Sequence, residues 1–258
     1  MNRTVVISGG AAGIGRAVAI LCAGLGDQVT ILDKNEKTAR EASEQTILCG
    51  ATGAIGLACD VTNEAQIEHA FAQIYDQFGA PAGIFASAGI DIGGLIHEFS
   101  LEQWRRVIET NVTGVFLVCK YGLRYMLDNG VAGSIVCASS PAASVAFASG
   151  GSGPYSASKG AISALVRCMA IDYAARGIRV NAIVPGATET GMMWNNVPRD
   201  KISEMRKQLE HEIPIGRLAQ PDDPARAVVW LLSEQSSYVT GSHLVCDGGI
   251  LAKASISV

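Results

Sequence analysis

The sequence predicts an α/β protein: a doubly wound parallel sheet of about seven strands, flanked by helices on both faces, in a single domain of residues 1–258. Three observations predict it. Short apolar, β-branched runs alternate with longer segments of helical period along the whole chain. The strand-like runs are apolar at successive positions, as strands covered on both faces require. No repeat, low-complexity tract or linker divides the 258 residues, a length that suits one large domain. Right-handed crossovers between such strands give the doubly wound arrangement.

The first strand, near 4–8, is Thr4-Val5-Val6-Ile7-Ser8, and it breaks into the glycine-rich turn Gly9-Gly10-Ala11-Ala12-Gly13-Ile14-Gly15 before an alanine-rich helix near 14–25. Such a turn suits a diphosphate. Glycine admits the ligand to the backbone, and the helix start offers unpaired N–H groups and a positive dipole end. A tight turn without ligand is the alternative, since the spacing matches neither Gly-x-Gly-x-x-Gly nor a P-loop. The second strand, near 28–33, ends in Asp33. A carboxylate there can accept hydrogen bonds from two ribose hydroxyls and would repel a 2′-phosphate. With no base at Ala11 or Ala12, and only Lys34 beside it, NAD is expected rather than NADP. Asp33 as a helix cap is the other reading.

Further strands are expected near 54–59, 83–87, 133–138, 178–184 and 243–246, and helices near 36–47, 64–78, 101–127, 155–176 and 222–232. Ser100 with Gln103 forms a capping box for the helix at 101. Residues 187–220, with Met192, Met193 and Trp194, lack sheet character and read as a lid over the cleft.

Composition excludes several classes. The net charge is −4 with no Lys/Arg cluster, which speaks against nucleic acid. A strand starting by Thr4 leaves no room for a signal peptide, and no apolar run reaches the ~20 residues of a membrane span. Seven cysteines sit singly in apolar company, as at Cys22 and Cys119, and read as reduced thiols of a cytoplasmic protein. There is no Cys-x-x-Cys and no His-Glu-x-x-His, so no metal is expected.

The chemistry is carried by Pro154-Tyr155-Ser156-Ala157-Ser158-Lys159. If Pro154 opens a helix, Tyr155 and Lys159 share one face, a turn apart. A nearby ammonium favours tyrosinate and lowers the phenol pKa from ~10; a fall of ~3 units needs roughly 4 kcal/mol. The same spacing also occurs on solvated helix faces.

Together the two motifs resemble the short-chain dehydrogenase/reductase family, whose fold is of the Rossmann type, over nearly the whole chain. Ser8-Gly9 through Gly13-Ile14-Gly15 is similar to its cofactor loop, with Ser8 where Thr is commoner. Cys59-Asp60-Val61 resembles its adenine-contacting segment. Ala86-Ser87-Ala88-Gly89 stands where the family has Asn-Asn-Ala-Gly, so the two Asn that brace the sheet are missing. Asn111 resembles the Asn of the proton relay, and Ile135 to Ser140 the strand that carries the catalytic serine. Pro185-Gly186-Ala187-Thr188-Glu189-Thr190 is similar to the segment that binds the carboxamide, and Asp247-Gly248-Gly249 to the C-terminal signature.

The resemblance implies hydride transfer between NAD(H) and a secondary alcohol or ketone. Tyr155 would be the acid/base and Ser140 would hydrogen-bond the same oxygen, with Ser139 as its alternative. Lys159 would acidify Tyr155 and hold the nicotinamide ribose. Asn111 would anchor a water linking Lys159 to solvent, or make a structural hydrogen bond. The implied cofactor contacts are Gly9, Gly13, Ile14, Gly15, Asp33, Asp60, Val61, Ala88, Gly89, Tyr155, Lys159, Pro185, Gly186, Thr188 and Thr190. The loop Ser149 to Gly153 is expected to border the substrate. Val145, Phe147, Met192, Met193 and Trp194 either line an apolar pocket or simply pack. His97 either touches substrate or lies on the surface. A homotetramer through 111–123 and 160–172 is expected. Two other functions remain open: an NADPH-dependent 3-oxoacyl-thioester reductase, against which Asp33 speaks, and a non-catalytic dinucleotide-binding regulator.

Overall fold

The computed structural model describes residues 3–147 and 150–253. Its strands are β1 (Thr4–Ser8), β2 (Gln28–Asp33), β3 (Gly53–Ala58), β4 (Gly83–Ala86), β5 (Gly133–Ala138), β6 (Ile178–Pro185) and β7 (His243–Cys246). They form one parallel sheet of seven strands in the order β3-β2-β1-β4-β5-β6-β7. The continuous apolar runs are explained by burial on both sides: all five residues of β1 and all four of β4 are buried.

Helices α1 (Gly13–Gly24), α2 (Glu36–Leu48) and α9 (Asp222–Leu232) cover one face, where Val18, Ile31, Phe85 and Val228 form a core. Helices α3 (Glu64–Phe78), α5 (Gly114–Asp128) and α6 (Gly153–Tyr173) cover the other, over Phe71, Ile84, Met126 and Ile162. Strand order reverses between β1 and β4, which opens a crevice at their carboxyl ends, the usual ligand position in such sheets.

One expectation needs correction. The helix expected over 101–127 is interrupted: α4 (Leu101–Ile108) passes through a wide π turn, Glu109–Thr113, into α5. The turn holds Asn111, whose amide bonds to another loop, and such widened turns accompany side chains with special tasks. The capping box of Ser100 and Gln103 is present at the start of α4.

The segment 187–220 also contains more structure than a bare insertion. It holds α7 (Gly191–Trp194), a short 3₁₀ turn at Arg199–Lys201, and α8 (Ile202–Glu212). Helix α8 buries none of its residues, in keeping with a sequence, Ile202 to Glu212, that is mostly charged or polar.

Candidate active site

The crevice begins where β1 stops. Gly9 has φ +67°, and a Cβ on it would stand 2.9 Å from the Ala88 Cα. A Cβ on Gly15 would stand 2.3 Å from the Gly9 carbonyl oxygen. Only glycine permits this turn, and its compactness aims the first amides of α1 into the crevice, a cradle suited to a diphosphate. Ile14, in the first turn of α1, packs against the core behind it.

Asp33 ends β2 beside this turn. Its carboxylate accepts the Ala11 N–H at 3.4 Å and the Asn35 N–H at 3.3 Å, both long bonds that leave lone pairs for hydroxyl donors. Helix α2 is capped by Asn35, which accepts the Thr38 N–H at 3.1 Å, so Asp33 is not its cap. Asp60 accepts the Thr62 N–H at 2.9 Å and hydroxyl at 2.8 Å, while Val61 beside it is buried.

Across the crevice, Thr190 comes close to Gly13, and the Thr188 hydroxyl donates to the Gly186 carbonyl at 3.0 Å. Gly186, after Pro185, packs on Asp247, whose carboxylate accepts the Gly249 and Leu251 N–H groups at 2.8 Å each. Ala88 and Gly89 line the end of β4. The glycine turn, Asp33, Ala88–Gly89 and the segment after β6 thus border one groove.

Ser8 has a role that motif matching missed. Its Oγ accepts the Ser87 N–H at 3.2 Å and the Ala88 N–H at 3.4 Å, and so braces β1 to the end of β4 where two Asn side chains are missing. The signal was a buried hydroxyl at the end of an otherwise apolar strand.

The catalytic residues expected from sequence come together on the opposite wall. Helix α6 opens at Gly153-Pro154, which sets Tyr155 and Lys159 on one face. Lys159 is 5% exposed; its ammonium donates to the Ala138 carbonyl at 2.7 Å and lies 5.4 Å from the centre of the Tyr155 ring. Ser140 follows β5 and opens a 3₁₀ turn at Pro141–Ala143, its Oγ accepting the Ala142 N–H at 3.2 Å. That hydroxyl faces the Tyr155 phenol and draws its pKa down. Ser139 is engaged elsewhere, 3.0 Å from the Ser163 hydroxyl. Of the two serines, Ser140 is the one beside Tyr155.

The electrostatics differ from the expectation. Burial outweighs every other influence and pushes the Tyr155 phenol up to about 12. Burial likewise brings the Lys159 ammonium down to about 8. In both groups the exclusion of solvent penalises the charged form. The Lys159 ammonium donates to the Ala138 carbonyl, and the Ser140 hydroxyl is the neighbour that draws the phenol down.

Asn111 is fully buried and committed to protein partners. Its Oδ1 accepts the Ile90 N–H at 2.8 Å, and its Nδ2 donates to the Ile90 carbonyl at 2.9 Å and the Ser158 hydroxyl at 3.0 Å. Both amide hydrogens are used, so the structural alternative describes its contacts. Gly89 packs between Asn111 and Lys159: a Cβ there would stand 3.2 Å from Oδ1 and 3.8 Å from the ammonium.

Val145, Phe147 and Met192 are each more than a third exposed. Trp194 belongs to the lid instead: its indole donates to Glu189 at 2.7 Å and lies under the Arg206 guanidinium, which also pairs with Glu189. His97 is a surface residue, 3.6 Å from Glu98. Of the loop expected to border the substrate, Ser149 lies outside the described residues. Among the described residues no cluster of three or more potential metal ligands occurs, and no helix is long and apolar enough to cross a membrane.

Comparison with known proteins agrees with this geometry. Residues 9–251 match a family model described as enoyl-(acyl carrier protein) reductase. A 2,5-dichloro-2,5-cyclohexadiene-1,4-diol dehydrogenase of Sphingobium indicum is 39% identical over 252 residues, covering 97% of this chain and 98% of its own. A 2-(S)-hydroxypropyl-CoM dehydrogenase of Xanthobacter autotrophicus is 38% identical, covering 97% of each. Among solved structures, a short-chain type dehydrogenase/reductase from Mycobacterium marinum superposes with a TM-score of 0.91 at 29% identity, covering 97% of this chain and 96% of that one. Levodione reductase gives 0.91 at 30% identity, covering 98% of both. With motifs, sheet order and relatives in agreement over nearly its whole length, the chain belongs to the short-chain dehydrogenase/reductase family, oxidoreductases that act on CH–OH groups with a nicotinamide cofactor.

Proposed function

We propose that the protein interconverts a secondary alcohol and a ketone with NAD(H), using Tyr155 as the acid/base. One observation carries this reading: Ser140, Tyr155 and Lys159 converge on one wall of a crevice whose other end holds the glycine turn and Asp33. The relatives named as dehydrogenases of 2,5-dichloro-2,5-cyclohexadiene-1,4-diol and of 2-(S)-hydroxypropyl-CoM support a carbinol substrate.

The turn at Gly9, Gly13 and Gly15 would hold the diphosphate, and Asp33 the adenosine ribose hydroxyls. Asp60 and Val61 would border the adenine. Pro185, Gly186, Thr188 and Thr190 would hold the carboxamide, and Lys159 the nicotinamide ribose. NAD supplies the hydride acceptor and, when oxidised, a positive charge beside the site. That charge favours tyrosinate and opposes the rise that burial imposes on Tyr155. In ketone reduction Tyr155 protonates the product oxygen; in oxidation it removes the alcohol proton. Ser140 donates to the same oxygen and stabilises its partial charge. Asn111 acts as a positioning residue that fixes Ile90 and, through Ser158, the start of α6.

Residues 187–220 form the lid, and the exposed apolar residues at the cleft mouth favour a fairly apolar substrate body. Exposed Phe116 on α5 and Ile171 on α6 suit contacts between copies in a homotetramer.

The test follows absorbance at the reduced nicotinamide band over a panel of secondary alcohols and ketones, with each cofactor. Turnover with a clear preference for NADH over NADPH is the expected result. Preference for NADPH would overturn the role of Asp33, and no turnover of any alcohol or ketone would overturn the activity.

A further inference from the structure

Glu189 has no task in the chemistry above, yet it stands between Thr188 and Thr190 of the carboxamide segment. Its backbone is fixed. The Glu189 N–H donates to the Ala219 carbonyl at 2.8 Å, the Ala219 N–H donates to the Ala187 carbonyl at 2.9 Å, and Thr188 and Ala219 form an isolated parallel bridge. The segment lies against the glycine turn: a Cβ on Gly13 would stand 3.2 Å from the Thr190 methyl. Glu189 and Thr190 also border an open cavity of about 340 Å³ with Gly13, Arg16 and Asp222.

The side chain reaches both helices of the lid. Its Oε1 accepts the Trp194 indole N–H of α7 at 2.7 Å and the Arg206 Nη2 of α8 at 2.8 Å, while Oε2 accepts Nη1 of the same guanidinium. That guanidinium lies 5.3 Å from the centre of the Trp194 ring. One carboxylate thus gathers donors 5 and 17 residues further along the chain. Helix α8 buries none of its residues, so apolar packing does little to hold it. Among the described residues, the side-chain hydrogen bonds that join α8 to residues outside 191–212 are the Arg206–Glu189 pair and a bond from the Lys253 ammonium to the Glu212 carbonyl at 3.2 Å. The first holds the middle of α8 and the second its end.

We infer that Glu189 is a positioning residue that couples the dinucleotide to the lid: with the carboxamide bound, residues 186–190 are steadied, and the Glu189 carboxylate holds α7 and α8 to them, over the cleft. The inference rests on the assignment of carboxamide binding to residues 185–190 and adds the residue through which that binding reaches the lid. The coupling follows from connectivity. The backbone of Glu189 belongs to the groove and its side chain to the lid, so a restraint on one restricts the other. By reciprocity a held lid favours the dinucleotide by the same factor, commonly about 5–150-fold. A carboxylate suits this task, because it takes a guanidinium fork and an indole N–H together, whereas a neutral amide offers one acceptor oxygen.

The experiment digests the whole protein with trypsin, with and without saturating NAD and, in parallel, NADP. Mass spectrometry follows cleavage after two exposed residues, Lys201 before α8 and Lys207 within it. Calorimetric titration measures the binding of each dinucleotide separately. Cleavage of a transiently opened segment reports how often it opens. In the wild-type protein the bound dinucleotide is expected to slow both cleavages by about fivefold or more, the low end of such couplings. Glu189→Ala should bring that ratio close to one while the dinucleotide still binds, and Arg206→Gln should do the same. Glu189→Gln, which has nearly the same volume and one acceptor oxygen, should keep part of the ratio, and so controls for misfolding of the alanine variant. A bond that merely holds the lid in place would speed cleavage equally with and without dinucleotide and leave the ratio intact. That result, or a bound dinucleotide that leaves wild-type cleavage unchanged, would overturn the inference while leaving the cofactor reading intact. Binding of neither dinucleotide would overturn both.

Discussion

The catalytic wall and the lid are built by opposite rules. On the wall, nearly every polar group is buried and already bonded: Asn111 to Ile90 and Ser158, Lys159 to Ala138, Ser139 to Ser163. In the lid, α8 buries no residue, and the segment is joined by the surface cluster of Glu189, Trp194 and Arg206. The wall borrows the stiffness of the sheet, and each of its bonds is expensive to lose. The segment 187–220 is tied down by that half-buried cluster, and we expect it to open locally at smaller cost than the wall. The difference teaches where chemistry and where recognition can be altered independently.

Four substitutions probe that contrast. On the wall, Tyr155→Phe should lower turnover at least ~100-fold, the usual scale of acid–base catalysis, while NAD affinity measured by fluorescence titration and the thermal midpoint stay nearly unchanged. Unaltered turnover would remove Tyr155 from the mechanism. Asn111→Leu should cost about 2–4 kcal/mol of stability in urea unfolding. It strips partners from the buried Ile90 backbone and Ser158, each of which carries a desolvation penalty of ~1–3 kcal/mol. A loss below ~0.5 kcal/mol would show that the braced turn is not under tension from these bonds.

Asp33→Ser should shift the NADH-to-NADPH ratio of kcat/KM towards NADPH by about tenfold, because one repulsive charge beside the 2′ position is gone. In the segment 187–220, Arg206→Ala breaks a bidentate pair with Glu189 near the surface and uncovers the Trp194 ring, and is expected to lower the unfolding free energy by less than Asn111→Leu does. Its visible effect should be a modest rise in KM for the alcohol. A stability loss as large as that of Asn111→Leu would erase the distinction between the two regions.

Much of this was legible in the sequence because the legible features are local. All seven strands stand within about a residue of their expected ends, since unbroken apolar runs between turn residues mark a buried parallel strand. Tyr155, Lys159 and the glycine turn were readable because helix period and turn chemistry act within a few residues. What the sequence hid depends on distant partners. Asn111 looks like one polar residue in a long apolar helix, and nothing local announces a π turn whose purpose is a bond to Ile90. The burial that raises the Tyr155 phenol is likewise a matter of distant partners, because sequence shows the neighbouring charge but not the loss of water.

Lys159 ties the alkaline behaviour of the fold to that of the reaction. Its folded value of about 8 lies below the ~10.5 of an unfolded chain, so a penalty for housing the cation is fully present below pH 8 and fades as pH climbs towards 10.5. Tyr155 works in the other direction only later: the unfolded phenol ionises near 10 while the folded one waits until about 12, so its contribution favours unfolding above pH 10. Between those limits these two side chains make the folded protein sturdier in the same mildly basic range where removal of a proton from an alcohol is easiest.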